Sequence, residues 1–483
     1  VVLDREICDR ARLARDPRFD GLFFIGVHST GIYCRPICPA PAPKPENIVY
    51  YPTAAAAAEA GLRPCLRCRP EAAPGSPAWS GTSAIVSRAL LLIRQGALDG
   101  GNFEDLAARL GVGGRHLRRL FQVHVGASPR ELVMTQRVLF AKRLLIETDL
   151  PVSQIAFAAG FGSIRRFNGA FKKRVARTPS AFRRPAKTGR TAERALFQCR
   201  LTLPYRPPFD WPAMLAFFRS RAIPGVESVT NNTYRRTIRI DARYGTIAVA
   251  HADKGHALAL TAALSDSRDL MRVVERARRM FDLDANMAAI HRVLAADPRL
   301  ADIVARRPGL RLPGSWDPFE TAVRAVVGQQ ISVKGARTII GRLVARAGKA
   351  IDCADAPSLT HLFPDAAELS AARLDTIGMP AKRVASLIEL SQAVAHGALR
   401  FEVRGGLADF VARLKRIPGI GDWTAQYIAM RALGEPDAFP AADLGLIRAL
   451  NRDGRRPNPK AVAALAESWR PWRAYAAIHL WHA

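Results

Sequence analysis

Two groups of residues have the types and spacing to do chemistry. Near the N-terminus, four cysteines come as two pairs, Cys34-x3-Cys38 and Cys65-x2-Cys68. Short spacing lets both thiolates of a pair reach one ion, and two pairs complete a tetrahedron suited to Zn2+. Spacing does not separate an inert structural thiolate from a reactive one. Near the C-terminus the chain reads Leu414-Lys415-Arg416-Ile417-Pro418-Gly419-Ile420-Gly421, then Asp422-Trp423-Thr424-Ala425-Gln426-Tyr427. A helix is expected to end near Ile417, two glycines turn the chain, and a second helix starts around Trp423. Glycine reaches φ > 0 cheaply and allows close backbone approach, and N–H groups at a helix start can receive a phosphate. Twenty-two residues after Gly421 stands Asp443, in the apolar segment Phe439-Pro440-Ala441-Ala442-Asp443-Leu444. A lone carboxylate there either caps the helix expected from Leu444 or does chemistry, and the two roles are compatible.

Elements must position these groups, and the chain divides into four regions. Residues 1–75 hold five of the seven cysteines; the fifth, Cys8, has no partner in spacing. Pro74-Gly75-Ser76-Pro77 reads as a linker. Residues 80–186 carry an internal repeat with an offset of 49: Phe103 to Gly111 matches Val152 to Gly160. Each copy has a short apolar helix, a turn glycine and a second helix, and closes on Ser128-Pro129 or Thr178-Pro179. The second helices carry Arg115, His116, Arg118 and Arg119 in one copy, and Arg165, Arg166 and Asn168 followed by Lys172 and Lys173 in the other. From Gly162 to Arg184 there are eight Lys or Arg and no acid. A recognition helix needs polar groups for base edges and cations for phosphates.

Lys187-Thr188-Gly189-Arg190 reads as a second linker. Residues 195–275 alternate as strands at 197–203, 234–240 and 246–250 around a helix from Trp211, which gives a small α+β domain. Residues 280–483 are almost wholly helical in pattern. Pro318 starts a long helix that contains Arg324-Ala325-Val326-Val327-Gly328-Gln329-Gln330, where a polar pair interrupts an apolar stripe.

The chain has 483 residues and a formal charge of +30, with 72 Lys and Arg against 42 Asp and Glu. That excess favours a polyanionic partner. No run of 18 apolar residues would span a membrane, no signal peptide is expected, and seven cysteines in this length do not read as a disulfide framework. A cytoplasmic monomer is expected.

The segments around the cysteines, Thr30-Gly31-Ile32-Tyr33-Cys34-Arg35-Pro36 and Arg63-Pro64-Cys65-Leu66-Arg67-Cys68, resemble the N-terminal domain of the bacterial adaptive-response family. The resemblance implies that Cys34 accepts a methyl group from a DNA phosphotriester, with Cys38, Cys65 and Cys68 completing the zinc site. Arg35, Arg63, Arg67 and Arg69 would meet flanking phosphates. The repeat resembles the AraC-type DNA-binding domain, which implies binding of promoter DNA. Methylation in that family activates transcription, so RNA polymerase is an implied partner. The family's usual Pro-Cys-His-Arg site for O6-methylguanine is absent from the sequence.

The C-terminal pattern resembles the helix-hairpin-helix DNA glycosylases, and within them the 3-methyladenine glycosylases. That implies Gly419 and Gly421 as the hairpin that grips duplex DNA carrying alkylation damage. It implies Asp443 as the catalytic carboxylate, Trp423, Tyr427 and Trp472 as the base pocket, and Gln330 as the wedge in the base stack. The carbonyls of Lys415, Ile417 and Ile420 would hold a monovalent cation. Relatives with strand-cleaving activity carry a lysine where Trp423 stands, so a monofunctional hydrolase is expected. Trp469, Tyr475 and Trp481 are expected in the core. The sequence also admits a DNA-binding regulator whose glycosylase-like half is inactive; Asp443 and the hairpin weigh against it.

Overall fold

The structure is a computed structural model and describes residues 3–74, 84–94, 96–98, 101–183, 197–253, 255–353, 356–402, 406–451 and 456–483. Lys187-Thr188-Gly189-Arg190 and most of Pro74-Gly75-Ser76-Pro77 lie outside the described residues. The chain divides into two compact units, 1–207 with 252–278 and 283–286, and 208–251 with 279–282 and 287–483. The segment 195–275 is thereby shared between them.

The first unit opens with a four-stranded sheet of β1 (Phe24–Val27), β2 (Ile32–Cys34), β3 (Ile48–Tyr51) and β4 (Arg63–Pro64), in the order β3-β1-β2-β4. The β1–β2 and β1–β3 pairs are antiparallel, and β2–β4 is parallel. The parallel pairing sets Tyr33 opposite Pro64 and so brings the two cysteine pairs to one end of the sheet. Cys8 is buried in the core with Phe23, Ile25 and Ile48.

Next come the two repeated units. The first is α1 (Phe103–Arg109) and α2 (Gly114–His124); α3 (Pro129–Glu147) leads to the second, α4 (Val152–Ala158) and α5 (Ile164–Val175). The repeated Ser-Pro and Thr-Pro pairs have a local cause. Ser128 and Thr178 accept from the backbone N–H three residues on, and Pro fills the first helical position, where no N–H partner exists. Leu106, Leu117 and Phe121 are buried in the first unit. In the second, Phe161, Phe167, Phe171 and Phe182 contact in series at 5.2, 5.6 and 5.7 Å. A buried ion pair, Lys142 Nζ to Glu71 Oε2 at 2.5 Å, fastens α3 to the segment just past Cys68. The strands Phe197–Pro204 and Ala257–Leu264 pair antiparallel in this unit as well.

In the second unit, α6 (Trp211–Arg221) packs with the antiparallel strands Glu227–Thr230, Thr233–Ile240 and Arg243–His251. The rest is helical: α7 (Pro318–Val327), α8 (Val333–Ala347), α9 (Leu407–Leu414), α10 (Asp422–Ala432), α11 (Leu444–Ala449) and α12 (Arg473–Leu480) are the helices around the site. The expected long helix is two helices. It stops at Val327 because Gly328, Gln329 and Gln330 form a turn, with Gln330 at φ +56°. Beneath α7 lies a buried ionic network: Glu320 pairs with Arg236 and Arg324, each at 2.6 Å, and Glu227 with Arg324 at 2.6 Å. Trp469 and Tyr475 are core residues, hydrogen-bonded to Asp297 and Asp282.

Among the described residues, buried His479 on α12 has no hydrogen-bond partner on either ring nitrogen, and the His291 ring lies 6.1 Å away. Burial, with His291, His482 and Arg307 nearby, lowers the His479 pKa to about 4. The unfolded chain titrates near about 6.5. The folded form is therefore favoured above that value, and the advantage is lost as pH falls from about 6.5 toward about 4. We expect the second unit to lose about 1.4 kcal/mol between about pH 7.5 and 5.5 from this group. His479→Leu should flatten that loss in urea titrations at the two pH values; an unchanged slope would remove His479 as its source.

Candidate active sites and nucleic-acid interface

In the first unit the Sγ atoms of Cys34, Cys38, Cys65 and Cys68 all lie within 4.8 Å of one another. Tetrahedral Zn2+ with about 2.3 Å bonds needs sulfurs about 3.8 Å apart, so four thiolates in this arrangement fit the ion. Cys65 and Cys68 are buried, whereas Cys34 and Cys38 are partly exposed. The backbone N–H of Arg35 donates to Cys68 Sγ at 3.3 Å. Two of the four expected phosphate ligands are otherwise engaged. Arg35 is held by both oxygens of Asp20 and by the Cys68 carbonyl. Arg69 reaches Glu71 and Glu147. Arg63 and Arg67 are exposed and remain open to a phosphate.

On the repeated units, Arg115, Arg118, Arg119, Arg165, Arg166, Lys172 and Lys173 are all exposed. The two recognition helices differ. Arg118 of α2 pairs with Glu104 of α1 at 2.7 Å and lies over the Phe103 ring. Arg174 of α5 turns inward to Glu131, which leaves Arg165, Arg166, Lys172 and Lys173 as the outward cations of that helix.

In the second unit, α9 ends at Leu414 and α10 begins at Asp422, so the hairpin spans Lys415 to Gly421. Gly419 has φ +83°, and a Cβ there would collide with Ser386. Gly421 is different: nothing lies within 4 Å of where its Cβ would be, which keeps the start of α10 open from outside. Ile417 O already accepts from Ile420 N at 3.1 Å. Gln329 Nε2 donates to Gly419 O and Thr424 Oγ1, both at 2.9 Å, and ties the turn after α7 to the hairpin. Gln330, beside it, is exposed.

Asp443 caps α11, with Oδ1 accepting from Gly445 N at 2.8 Å and Leu446 N at 3.1 Å. The same oxygen accepts from Trp481 Nε1 at 2.9 Å, and Oδ2 accepts from Trp423 Nε1 at 2.9 Å. Four N–H donors on three elements thus hold one half-buried carboxylate. It faces a cavity of about 580 Å3 lined also by Trp423, Tyr427, Trp481, Phe217 and Arg431. Trp423 and Tyr427 stack at 5.3 Å and 14°, one helical turn apart on α10. Trp481 is tilted 51° to Tyr427 at 6.5 Å.

Two expectations about this cavity need correction. Trp472 does not line it. Trp472 is buried and packs edge-on against Tyr475 at 5.8 Å. Trp481, expected in the core, lines the cavity instead. The helix between them explains the exchange: Trp472 precedes the first turn of α12 and Trp481 follows its last, so only the latter reaches Asp443. Phe217 and Arg221, which also line the cavity, come from α6, in the small α+β region where the sequence pointed to no site residue. Phe217 and Phe218 are adjacent in an apolar helix, and nothing in the pattern shows which one turns outward.

Family models match four successive segments. They are the metal binding domain of Ada over residues 7–71, a helix-turn-helix domain over 106–185, the AlkA N-terminal domain over 200–317, and the HhH-GPD superfamily of base excision DNA repair proteins over 323–474. The chain is 42% identical over 479 residues to a probable bifunctional transcriptional activator/DNA repair enzyme AlkA of Mycobacterium tuberculosis, covering 99% of this chain and 96% of that one. The chain belongs to this family. It joins an Ada-type regulatory half to an AlkA-type glycosylase half, and is a bifunctional alkylation-response and DNA repair enzyme. Over 58% of its length it is 35% identical to DNA-3-methyladenine glycosylase 2 of Escherichia coli, covering 96% of that protein. The 3-methyladenine DNA-glycosylase of Archaeoglobus fulgidus shares the fold, with a TM-score of 0.51 at 21% identity over 58% of this chain and 96% of that one. Family membership makes DNA the partner of both halves. No described helix is long and apolar enough to cross a membrane.

Proposed function

We propose that the Asp443 cavity hydrolyses the N-glycosidic bond of alkylated bases such as 3-methyladenine and 7-methylguanine. The observation that carries this is the carboxylate fixed by two indole N–H groups in the lining of an aromatic cavity, beside a helix-hairpin-helix. A base within a duplex must first be flipped out, and Gln330, on an exposed turn, fills the gap. Gly419 and Gly421 let the hairpin meet the backbone phosphate, and the carbonyls of Lys415, Ile417 and Ile420 would hold a monovalent cation there. Trp423, Tyr427 and Trp481 receive the flipped base; a cationic alkylated ring is attracted to their faces. Such a base is already a good leaving group. As the C1′–N bond breaks, Asp443 balances the oxocarbenium charge and orients water toward C1′.

The position after Asp422 is Trp423, so no lysine amine stands there to form a Schiff base. Incubation with duplex DNA carrying 7-methylguanine should give free base and an intact abasic strand. Strand breakage without alkali treatment would overturn the monofunctional assignment.

In the other half, Cys34 is the methyl acceptor. Zn2+ bound to the four cysteines would keep the sulfur deprotonated near neutral pH. Cys34 Sγ attacks the methyl carbon of a phosphotriester, the S–C bond forms, the C–O bond breaks, and the phosphodiester leaves with the electron pair. Arg63 and Arg67 meet flanking phosphates. Loss of a thiolate charge reduces repulsion from DNA, which strengthens promoter binding by the helix-turn-helix units and recruits RNA polymerase. The protein works as a cytoplasmic monomer.

A further inference from the structure

Arg431 lies one turn beyond Tyr427 on α10, so both side chains leave the same helix face. Its guanidinium stands 4.2 Å from the Phe217 ring centre and 5.7 Å from that of Tyr427. Nη1 donates to the Tyr427 hydroxyl at 3.2 Å, Nη2 to the Gly314 carbonyl at 3.4 Å, and Nε to the Pro313 carbonyl. Arg431 is only 6% exposed. Burial, with Arg221 and Arg324 close by, lowers its pKa to about 10, which leaves it charged at neutral pH. The acceptors that hold it, two backbone carbonyls and a phenol, are all neutral. Packing alone does not account for it, because a methionine fills similar space without desolvating a charge.

A guanidinium can only donate. The phenol oxygen of Tyr427 is therefore the acceptor, and its own hydrogen is turned away from Arg431. A cation on the oxygen also makes that O–H a stronger donor. Both residues line the cavity at Asp443. Arg221, which also lines the cavity, lies 3.9 Å from the Phe217 ring centre, so two guanidinium groups contact that ring.

We propose that Arg431 is a positioning residue for base excision: it fixes Tyr427 so that the phenol O–H is donated into the cavity toward the flipped base. This role rests on the glycosylase reading of the cavity, and it makes Tyr427 a directed donor in addition to a stacking surface.

The test is a double-mutant cycle on the full chain with Arg431→Lys and Tyr427→Phe. The readouts are the enzyme-saturated single-turnover release of 7-methylguanine, duplex affinity by anisotropy, and melting temperature. Each single variant should lower the saturated rate about tenfold with affinity unchanged. The double variant should be no slower than Tyr427→Phe, because Arg431 acts through that hydroxyl. Multiplying losses, a loss seen only in affinity, or single-variant rates within about twofold of wild type would overturn the role. If Arg431→Lys does not fold, Tyr427→Phe decides alone, since it removes only the oxygen that Arg431 grips. An unchanged saturated rate in that variant rejects the proposal. Base release by the wild type in the same series separates the two claims: a wild type that releases nothing rejects the glycosylase reading itself.

Discussion

Replacement of Asp443 by Asn is expected to cut single-turnover base release about a thousandfold while the chain stays folded and binds duplex DNA. The geometry makes this a sharper test than a cap substitution elsewhere. Oδ1 receives three N–H donors and Oδ2 one. An asparagine that keeps its oxygen in the Oδ1 position still caps α11, since Asn caps about as well as Asp. Its NH2 then faces the Trp423 N–H, two donors with nothing to accept. That costs about 1–3 kcal/mol of stability, which melting temperature will report. If Asp443 is only a cap, excision falls no further than folding does. If it balances the oxocarbenium charge, excision falls by orders of magnitude at a temperature where the variant is fully folded. A folded Asn variant within about threefold of wild type would reject the catalytic role.

Cys34→Ala should abolish methyl uptake from a phosphotriester. The four sulfurs sit within one cluster, yet the two pairs differ in access: Cys65 and Cys68 are buried, and Cys34 and Cys38 are not. Exposure leaves Cys38 as a competing acceptor, so Cys38→Ala is the control. Both variants remove one of four metal ligands and should weaken metal binding. Zinc content must therefore be measured with uptake. The mass of Cys34→Ala should remain unchanged after incubation with methylated DNA, even in molecules that retain zinc. A gain of one CH2 unit by that variant would move the acceptor elsewhere.

Much of this was legible in the sequence, for reasons of locality. The four cysteines declare themselves by spacing, and the structure gathers them because β2 and β4 run side by side in parallel. The repeated Ser-Pro and Thr-Pro closures are caps written in adjacent residues. The hairpin is similar: Gly419 needs its positive φ whatever surrounds it. What was not legible depends on direction across distance. Trp472 and Trp481 flank the same helix, and the sequence does not show that only the second turns to Asp443. The part of Phe217 and Arg221 depends on how α6 meets α10, far away in the chain. Arg35 and Arg69 look like phosphate ligands in a basic segment, but Asp20, Glu71 and Glu147 hold them. Those acids lie 15, 2 and 78 residues from their partners and show no pattern with them.

The most direct measurement gives the full, zinc-loaded chain one duplex methylated at both bases and phosphates, and assays two products from the same reaction. Free 3-methyladenine and 7-methylguanine should appear in the soluble fraction, together with one added CH2 unit on the peptide that contains Cys34. A folded, zinc-loaded chain that binds this DNA yet leaves its alkylated bases in place would contradict the account, whatever happens at Cys34.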